Sequence, residues 1–411
     1  MAQLNFTLDT EIIKGLFTLD GRDDSMAKLI ESIINQVLDA QATEIIGAEP
    51  YERTEARTAY RNGYRPREMK TRVGTLELSV PRLRDGNFST DLFARYQRSE
   101  QALVLAMMEM VVNGVSTRKV ERITEKLCGT SFSKSTVSKL CQGLDPIITE
   151  FKNRPLDNHF PFVIVDAIYV KVRERHRVRS KGLLIAIGVN HNGYREVLGF
   201  TIANSETETS WNDFFVHLKE RGLSKVDFVI SDAHQGLVKA IKKQFQGASW
   251  QRCQTHFSKN ILDSCPKKLQ PEIKERLRGL YDAADEKTAQ MLLRSITKDY
   301  QNLAPKVIEK LESGFEDVIS VLSLPMKYRK RLRTSNSIER LNQEIRRRER
   351  VIRIFPNSDS VIRLMGALLM EQHEKWATGR KYLDMQEYYD SLQSEATQHE
   401  SKEKKSSELV A

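Results

Sequence analysis

Asp166 interrupts the apolar run FVIVDAIYVKV (Phe162–Val172), which is otherwise composed as a buried β-strand. Desolvating an ionised carboxylate is costly unless a partner or a metal compensates. The bland alternative is a strand-edge Asp that faces solvent or accepts backbone hydrogen bonds. Asp232 repeats the anomaly, standing just past a second buried strand in FVISDAHQGL. Two carboxylates at strand edges of one sheet can converge, and carboxylate oxygens are the ligands that hard divalent cations prefer. Two Mg²⁺ ions about 3.5–4 Å apart would activate an attacking oxygen and stabilise a leaving one, as phosphoryl transfer requires. The Arg-rich stretch TSNSIERLNQEIRRR offers a third ligand, Glu339, which could also close a capping box begun by Asn336. Glu344 and Glu349 are spaced instead for i,i+4 pairing with Arg348 and Arg353.

These residues need a scaffold, and the hydrophobic pattern predicts a mixed α/β sheet. Strands are expected at 162–173, 182–190 and 194–203, with hairpin turns at Arg177–Ser180 and Asn192–Gly193. A helix follows at 207–221, a buried strand at 226–231, a helix at 234–245 and a short strand from Ser249 to Cys253. Three antiparallel strands followed by alternating helix and strand define the mixed sheet. A polar helical pattern from about Thr255 to Leu324 reads as an insertion, and helices from Ser337 to Arg350 and from Asp359 to Trp376 follow it.

Upstream, SMAKLIESIINQVLDAQATEII (Ser25–Ile46) is an amphipathic helix that could dimerise or pack on the next module. A basic, turn-rich segment comes next, with Asn62–Gly63 and Asp85–Gly86 as turns and Tyr60, Tyr64 and Phe88 interleaved with Arg. Arg beside aromatic residues suits phosphate contact and stacking, which singles out Arg61, Arg65, Arg67, Arg82 and Arg84. Two helices, Ser116–Cys128 and Lys134–Leu140, have helix-turn-helix dimensions, with Ser116 and Ser133 as N-caps. Val120, Ile123, Leu127, Val137 and Leu140 are left for the core, while Lys134, Ser135, Thr136, Ser138 and Lys139 would face a major groove or phosphates.

The chain has 411 residues, enough for two or three domains, with 40% hydrophobic and 29% charged residues as in soluble globular proteins. No secretory pattern opens it and no apolar run approaches the ~18 residues of a spanning helix, so a cytoplasmic protein with no membrane partner is expected. Four scattered cysteines form no CxxC framework, which argues for reduced thiols. Net charge is +10, with nine Lys/Arg against three Glu between Arg53 and Arg84 and seven Arg against three Glu from Arg333 to Arg353. Nucleic acid is therefore the expected partner, with Arg340, Arg346, Arg347 and Arg348 suited to phosphates flanking a cut.

The blocks VDAIYVKVR, SDAHQGL, CQTH and TSNSIERLNQEIRRR, in this order, resemble the Asp, Asp and Glu blocks of Mutator-type bacterial insertion-sequence transposases. YRNGYRPREMKTRVGTLELSVPRLRDGNF, GVSTRKVERI and FPNSDSVIRLMGALLMEQHEKWATGRKYL extend the resemblance over roughly residues 25 to 390. It implies that Asp166, Asp232 and Glu339 form a metal-binding triad for Mg²⁺ or Mn²⁺, two ions in all. It also implies a ribonuclease-H-like catalytic domain with a helical insertion before the Glu. Cys253 and His256 fall on the family's Cys-x-x-His position. A structural zinc would want four ligands, and only scattered Cys265 or His234 are nearby. His256 is instead expected near the scissile phosphate or organising the helix that carries it, with Cys253 packed. Trp211 and Trp250 are expected in the core.

The expected organisation is a helical segment over 1–50, a basic β-rich module over 51–98 and a helix-turn-helix-like region over 99–154. The catalytic domain would occupy 155–262 and 326–390, split by the insertion at 263–325, with a disordered tail over 391–411. The implied activity is binding of an element's terminal inverted repeats, then strand cleavage and transfer into target double-stranded DNA. A homodimer or larger assembly would hold the two ends, in a bacterial cytoplasm and on the nucleoid when DNA-bound. The rivals are a ribonuclease-H-like nuclease or resolvase acting on branched DNA, and an inactive DNA-binding regulator.

Overall fold

A computed structural model describes residues 6–17, 22–84, 88–90, 92–93 and 97–393, without the side chains of Arg22, Asp23, Asn336, Ser337 and Glu339. The Asp85–Gly86 turn and residues 394–411 of the expected tail lie outside the described residues. The last described residues, 386–393, are helical, so the expected start of the tail at 391 falls inside a helix. The chain divides into two units, Met1–Gly143 and Leu144–Ala411.

The first unit contains α1 (Thr10–Gly15), α2 (Arg22–Ile46), a hairpin of β1 (Arg61–Thr71) and β2 (Gly74–Leu83), and then α3 (Gln101–Val112), α4 (Thr117–Cys128) and α5 (Lys134–Cys141). The apolar stripe of α2 packs on the hairpin: Leu38, with Ile30 and Ile34, meets Met69, Leu76, Leu78, Val80 and Phe93. That face is therefore occupied within the chain. Phe88, expected among the charges, joins the same core. Ser116 and Ser133 cap α4 and α5 by accepting the backbone N–H of Lys119 and Thr136. Gly129, at φ +60°, ends α4 in the left-handed region that glycine tolerates best. Leu127, expected in the core, is 73% exposed, and Thr124 and Val120 fill the inner face instead. Thr124 can be buried because its hydroxyl donates to the carbonyl of Val120 within its own helix.

The second unit is built on a five-stranded sheet in the order β5-β4-β3-β6-β7. It begins with α6 (Asp145–Asn153), then β3 (His159–Glu174), β4 (Arg177–Val189), β5 (Arg195–Ala203), α7 (Glu208–Glu220), β6 (Lys225–Ser231), α8 (Gln235–Gln244) and β7 (Ser249–Arg252). β3, β4 and β5 are antiparallel neighbours, whereas β6 and β7 join β3 in parallel. Alternation along β3 sorts its side chains: Val163 and Val165 meet Trp211, Phe215 and Leu237 of α7 and α8, while Phe162 meets Tyr328 and Tyr388 on the other face. The β3–β4 turn is not at Arg177–Ser180. The ladder continues to Glu174 opposite Arg177, and the chain reverses at Arg175 and His176, both at positive φ. Two residues of that conformation make the hairpin turn that matches strand twist, although neither is Gly or Asn.

The helices α9 (Gln254–Leu262), α10 (Gln270–Tyr281), α11 (Glu286–Tyr300), α12 (Pro305–Ser313) and α13 (Phe315–Ile319) share a core of their own, centred on Phe257, Leu277, Ile296, Leu311 and Val318. α14 (Met326–Leu332), α15 (Asn336–Ile352) and α16 (Ser358–Ala377) return to the sheet. Gln251 of β7 fastens the insertion by donating to the carbonyl of Val318 at 2.8 Å and accepting from Val321 N at 2.7 Å.

Candidate active site

β3 and β6 run parallel with Ile164 opposite Ile230. Asp166 and Asp232 each follow two residues later, so the two carboxylates leave neighbouring strands at the same level. Both line one cavity of about 270 Å³, with Tyr169, Glu206, His256, Asn342 and Arg346. A larger cavity of about 500 Å³, lined by Ile241, Trp250 and Asp317, includes neither Asp166 nor Asp232.

Asp166 Oδ1 accepts its neighbour's backbone N–H at 2.9 Å, and its Oδ2 accepts Nδ2 of Asn342 at 2.6 Å. Burial pushes its pKa up and the nearby Asp232 adds to that. The bonds from Asn342 and Ala167 and the charge of His256 pull it down, without restoring the ordinary value. Asp232 Oδ1 accepts the N–H of Ala233 at 2.6 Å. The glycine of SDAHQGL has a steric reason: a Cβ on Gly236 would come 2.6 Å from Glu208 N, where the starts of α7 and α8 touch.

His256 lies on the first turn of α9. Its interaction with the Cys253 sulfur, countered by burial and helped by Asp232 and Asp166, pushes its pKa up to about 9. Burial raises the Cys253 thiol, but the hydrogen bonds from His256 and Ser335 outweigh it and bring the pKa below the usual thiol range. Cys253 Sγ accepts from Ser335 N at 3.4 Å and from Ser335 Oγ at 3.3 Å, and Cys253 N donates to the carbonyl of Ser231 at 2.8 Å. The Cys-x-x-His element thus links the strand end beside Asp232 to the loop that starts α15.

α15 brings Asn342 to Asp166. Glu339 lies on the same helix one turn earlier, with its side chain outside the described residues. Among the described residues no group of three or more His, Cys, Asp or Glu could hold a metal ion; Asp166 and Asp232 are two carboxylates on one cavity. The donor chemistry fits a hard divalent cation: carboxylate oxygens, one desolvated, beside a buried amide oxygen without a partner, Asn342 Oδ1.

The cations singled out by sequence separate. On α15, Arg340, Arg346 and Arg347 are exposed, and Arg346 lines the cavity. Arg348 is turned inward: its side chain is 5% exposed and bonded to Glu344, the i,i+4 partner. In the first unit Arg61 donates to Thr43 Oγ1 at 2.6 Å and Ala48 O at 3.1 Å. Arg67 lies 4.2 Å over the Phe93 ring and donates to Gln97 O. Both are tied to their own unit, whereas Arg65, Arg82, Arg84, Lys134, Ser135, Thr136 and Lys139 are exposed. The hydroxyls of Ser135 and Thr136 bond Ser133 Oγ at 2.8 and 2.9 Å, so they also serve the cap.

Asn342, Glu206 and Tyr169 were not singled out by sequence. Glu206 accepts from Trp211 Nε1 at 3.2 Å and from the Tyr169 hydroxyl at 3.4 Å. Asn342 carried one legible signal, its place three residues after Glu339, on the same face of a helix.

Residues 1–379 match the family described as "Transposase, Mutator family". The chain belongs to the Mutator family of transposases. This Mutator-family chain is 47% identical over 388 residues to the transposase for insertion sequence element IS256 in transposon Tn4001 of Staphylococcus aureus, covering 93% of this chain and 99% of that protein. It is 44% identical to the transposase for insertion sequence element ISRM5 of Rhizobium meliloti, covering 88% and 91%. It is 38% identical to that for IS1081 of Mycobacterium tuberculosis, covering 92% of each. Among solved structures, the Drosophila P element transposase strand transfer complex matches at 10% identity and a TM-score of 0.30, covering 73% of this chain and 84% of that one.

Proposed function

We propose that this Mutator-family transposase binds the terminal inverted repeats of its insertion sequence and cleaves and transfers DNA strands at Asp166, Asp232 and Glu339. The observation that carries the reading is the level placement of Asp166 and Asp232 on parallel neighbours of one sheet, at one cavity. The strand order, with three antiparallel strands flanked by two parallel ones, supports a ribonuclease-H-like assignment for the catalytic unit.

Asp166, Asp232 and Glu339 would hold two Mg²⁺ or Mn²⁺ ions. When bound, such ions supply Lewis acidity at the phosphate and a more acidic attacking hydroxyl. Asn342 fixes the Asp166 carboxylate in one orientation, so that its charge is set before DNA arrives. Arg346, at the cavity and exposed, meets a phosphate oxygen. The His256 imidazolium adds positive charge where negative charge builds in the transition state. Water attacks the phosphodiester at the element end, and the freed 3′-OH then attacks target DNA. In the second step one phosphodiester replaces another, so no covalent protein–DNA intermediate is needed. Two ends must be held together, which calls for a dimer or larger assembly acting on DNA in the cytoplasm and nucleoid.

The test is cleavage and joining of labelled DNA carrying the element's own ends, with Mg²⁺, comparing wild type and a folded Asp166→Asn variant. Cleavage and joining by wild type alone is expected. An active variant would remove Asp166 from the mechanism, cleavage without joining would favour a nuclease, and binding without cleavage a regulator.

A further inference from the structure

The outer parts of β3 and β4 form an arm that the reaction described so far does not use. β6 leaves β3 after Ile164, and β5 pairs with β4 no further out than Gly182 opposite Ala203. From Lys171 opposite Ser180 to Glu174 opposite Arg177, the two strands run on as a ribbon. Phe355 braces its base, donating to Lys171 O and accepting from Arg173 N, each at 2.8 Å.

Residues 171–181 read KVRERHRVRSK, six Lys/Arg against one Glu. The Glu is already partnered, because Glu174 accepts from the buried Lys181 at 3.1 Å. Lys171, Arg173, Arg175, Arg177 and Arg179 are all exposed, and among the described residues none of their side chains has an ion pair or hydrogen bond. Alternation puts Lys171 and Arg173 on one face of the ribbon and Arg177 and Arg179 on the other. The ladder sets one acid, Glu174, opposite Arg177 while it is bonded to Lys181, so six cations share a single carboxylate and most of the arm's positive charge is left for a partner outside it.

We propose that this ribbon is a DNA arm that lies in the major groove of duplex DNA flanking the cut, its two faces contacting the phosphates of both strands. The inference rests on the reading of the protein as a DNA transposase. A two-stranded ribbon fits the major groove, about 12 Å wide. The arm continues the strand that carries Asp166: at about 3.3 Å per residue, Lys171 and Arg173 lie roughly 17 and 23 Å along it, within one turn of B-DNA, about 34 Å. DNA with its scissile phosphate beside Asp166 can therefore reach the arm. Guanidinium groups on both faces suit contact with the phosphates of both strands.

The experiment uses the full chain with Arg173, Arg175, Arg177 and Arg179 all changed to Gln, and a duplex of about three helical turns carrying the element end. All four are exposed, and an unchanged thermal melt shows that the fold persists. The slope of log K against log salt should fall by about 0.9 for each phosphate that is no longer neutralised, hence by about 2 to 4. The control changes Lys287, Arg294, Lys298 and Lys306, exposed cations of the helical insertion, to Gln. It removes the same charge and should leave the slope within about one unit of wild type. An unchanged slope in the arm variant, or an equal fall in the control, overturns the arm while leaving the transposase reading intact. Wild type without affinity for DNA at any salt overturns both.

Discussion

Asn342 Nδ2 donates to Asp166 Oδ2 at 2.6 Å, which joins the middle of α15 to the centre of β3. A hydrogen bond to a charged group contributes about 1.5–3 kcal/mol. Asn342→Ala should therefore slow single-turnover cleavage on the order of 10- to 100-fold and leave DNA affinity near wild type. Cleavage at the wild-type rate would show that Asp166 is oriented without it.

Arg346 and Arg348 sit two positions apart on α15 and should fail differently. Arg348→Ala removes a buried side chain and its bond to Glu344, so a loss of about 1–3 kcal/mol in urea unfolding is expected. Arg346→Ala should change stability by less than about 0.5 kcal/mol but weaken DNA binding and flatten its salt dependence. Equal stability losses would contradict the assignment.

Gly193 is at φ +85°, and a Cβ there would come 1.9 Å from Leu383 O. Its carbonyl accepts from Tyr382 N and Leu383 N, which seats the C-terminal segment on the β4–β5 turn. Gly193→Ala should cost about 2–4 kcal/mol in unfolding free energy; a melt unchanged from wild type would show that the segment is not held there.

Burial, followed by the charge of Arg154, pushes His373 down to about 4, and its Nδ1 accepts from Val197 N at 3.3 Å. The folded state thus favours neutral imidazole. Its contribution is complete above about pH 6.5, the unfolded value, and is lost as pH falls to about 4. The ring is only half-buried, so solvent screening leaves a contribution on the order of 1–2 kcal/mol. His373→Gln keeps an acceptor but does not titrate, so its stability should change less between pH 6.5 and 4. Parallel pH profiles for the two proteins would remove His373 as the cause.

The inner strands and the two Asp residues were legible because burial on both faces imposes continuous apolar runs that a carboxylate visibly breaks. Asp166 could be singled out without knowing what lies above it. The role of Asn342 could not, because it depends on a helix from far along the chain settling over β3. Arg346 and Arg348 are chemically identical in the sequence, and the packing of α15 alone decides which is buried. The turn at Arg175–His176 was missed because no glycine or asparagine marks it, and the ladder on either side holds it. Leu127 was misread because a helix pair this small leaves some apolar positions outside.

The helical insertion leaves the sheet and returns to it at almost the same point. Gln254 N donates to Arg333 O at 3.0 Å, and Cys253 and Ser335 meet directly behind that bond. The chain between them is a detour with a fixed doorway. Closing a longer or shorter loop between anchored ends changes its entropy only slowly with length. A change of length within the insertion should therefore be felt little at this doorway, and α15 keeps its seat over β3.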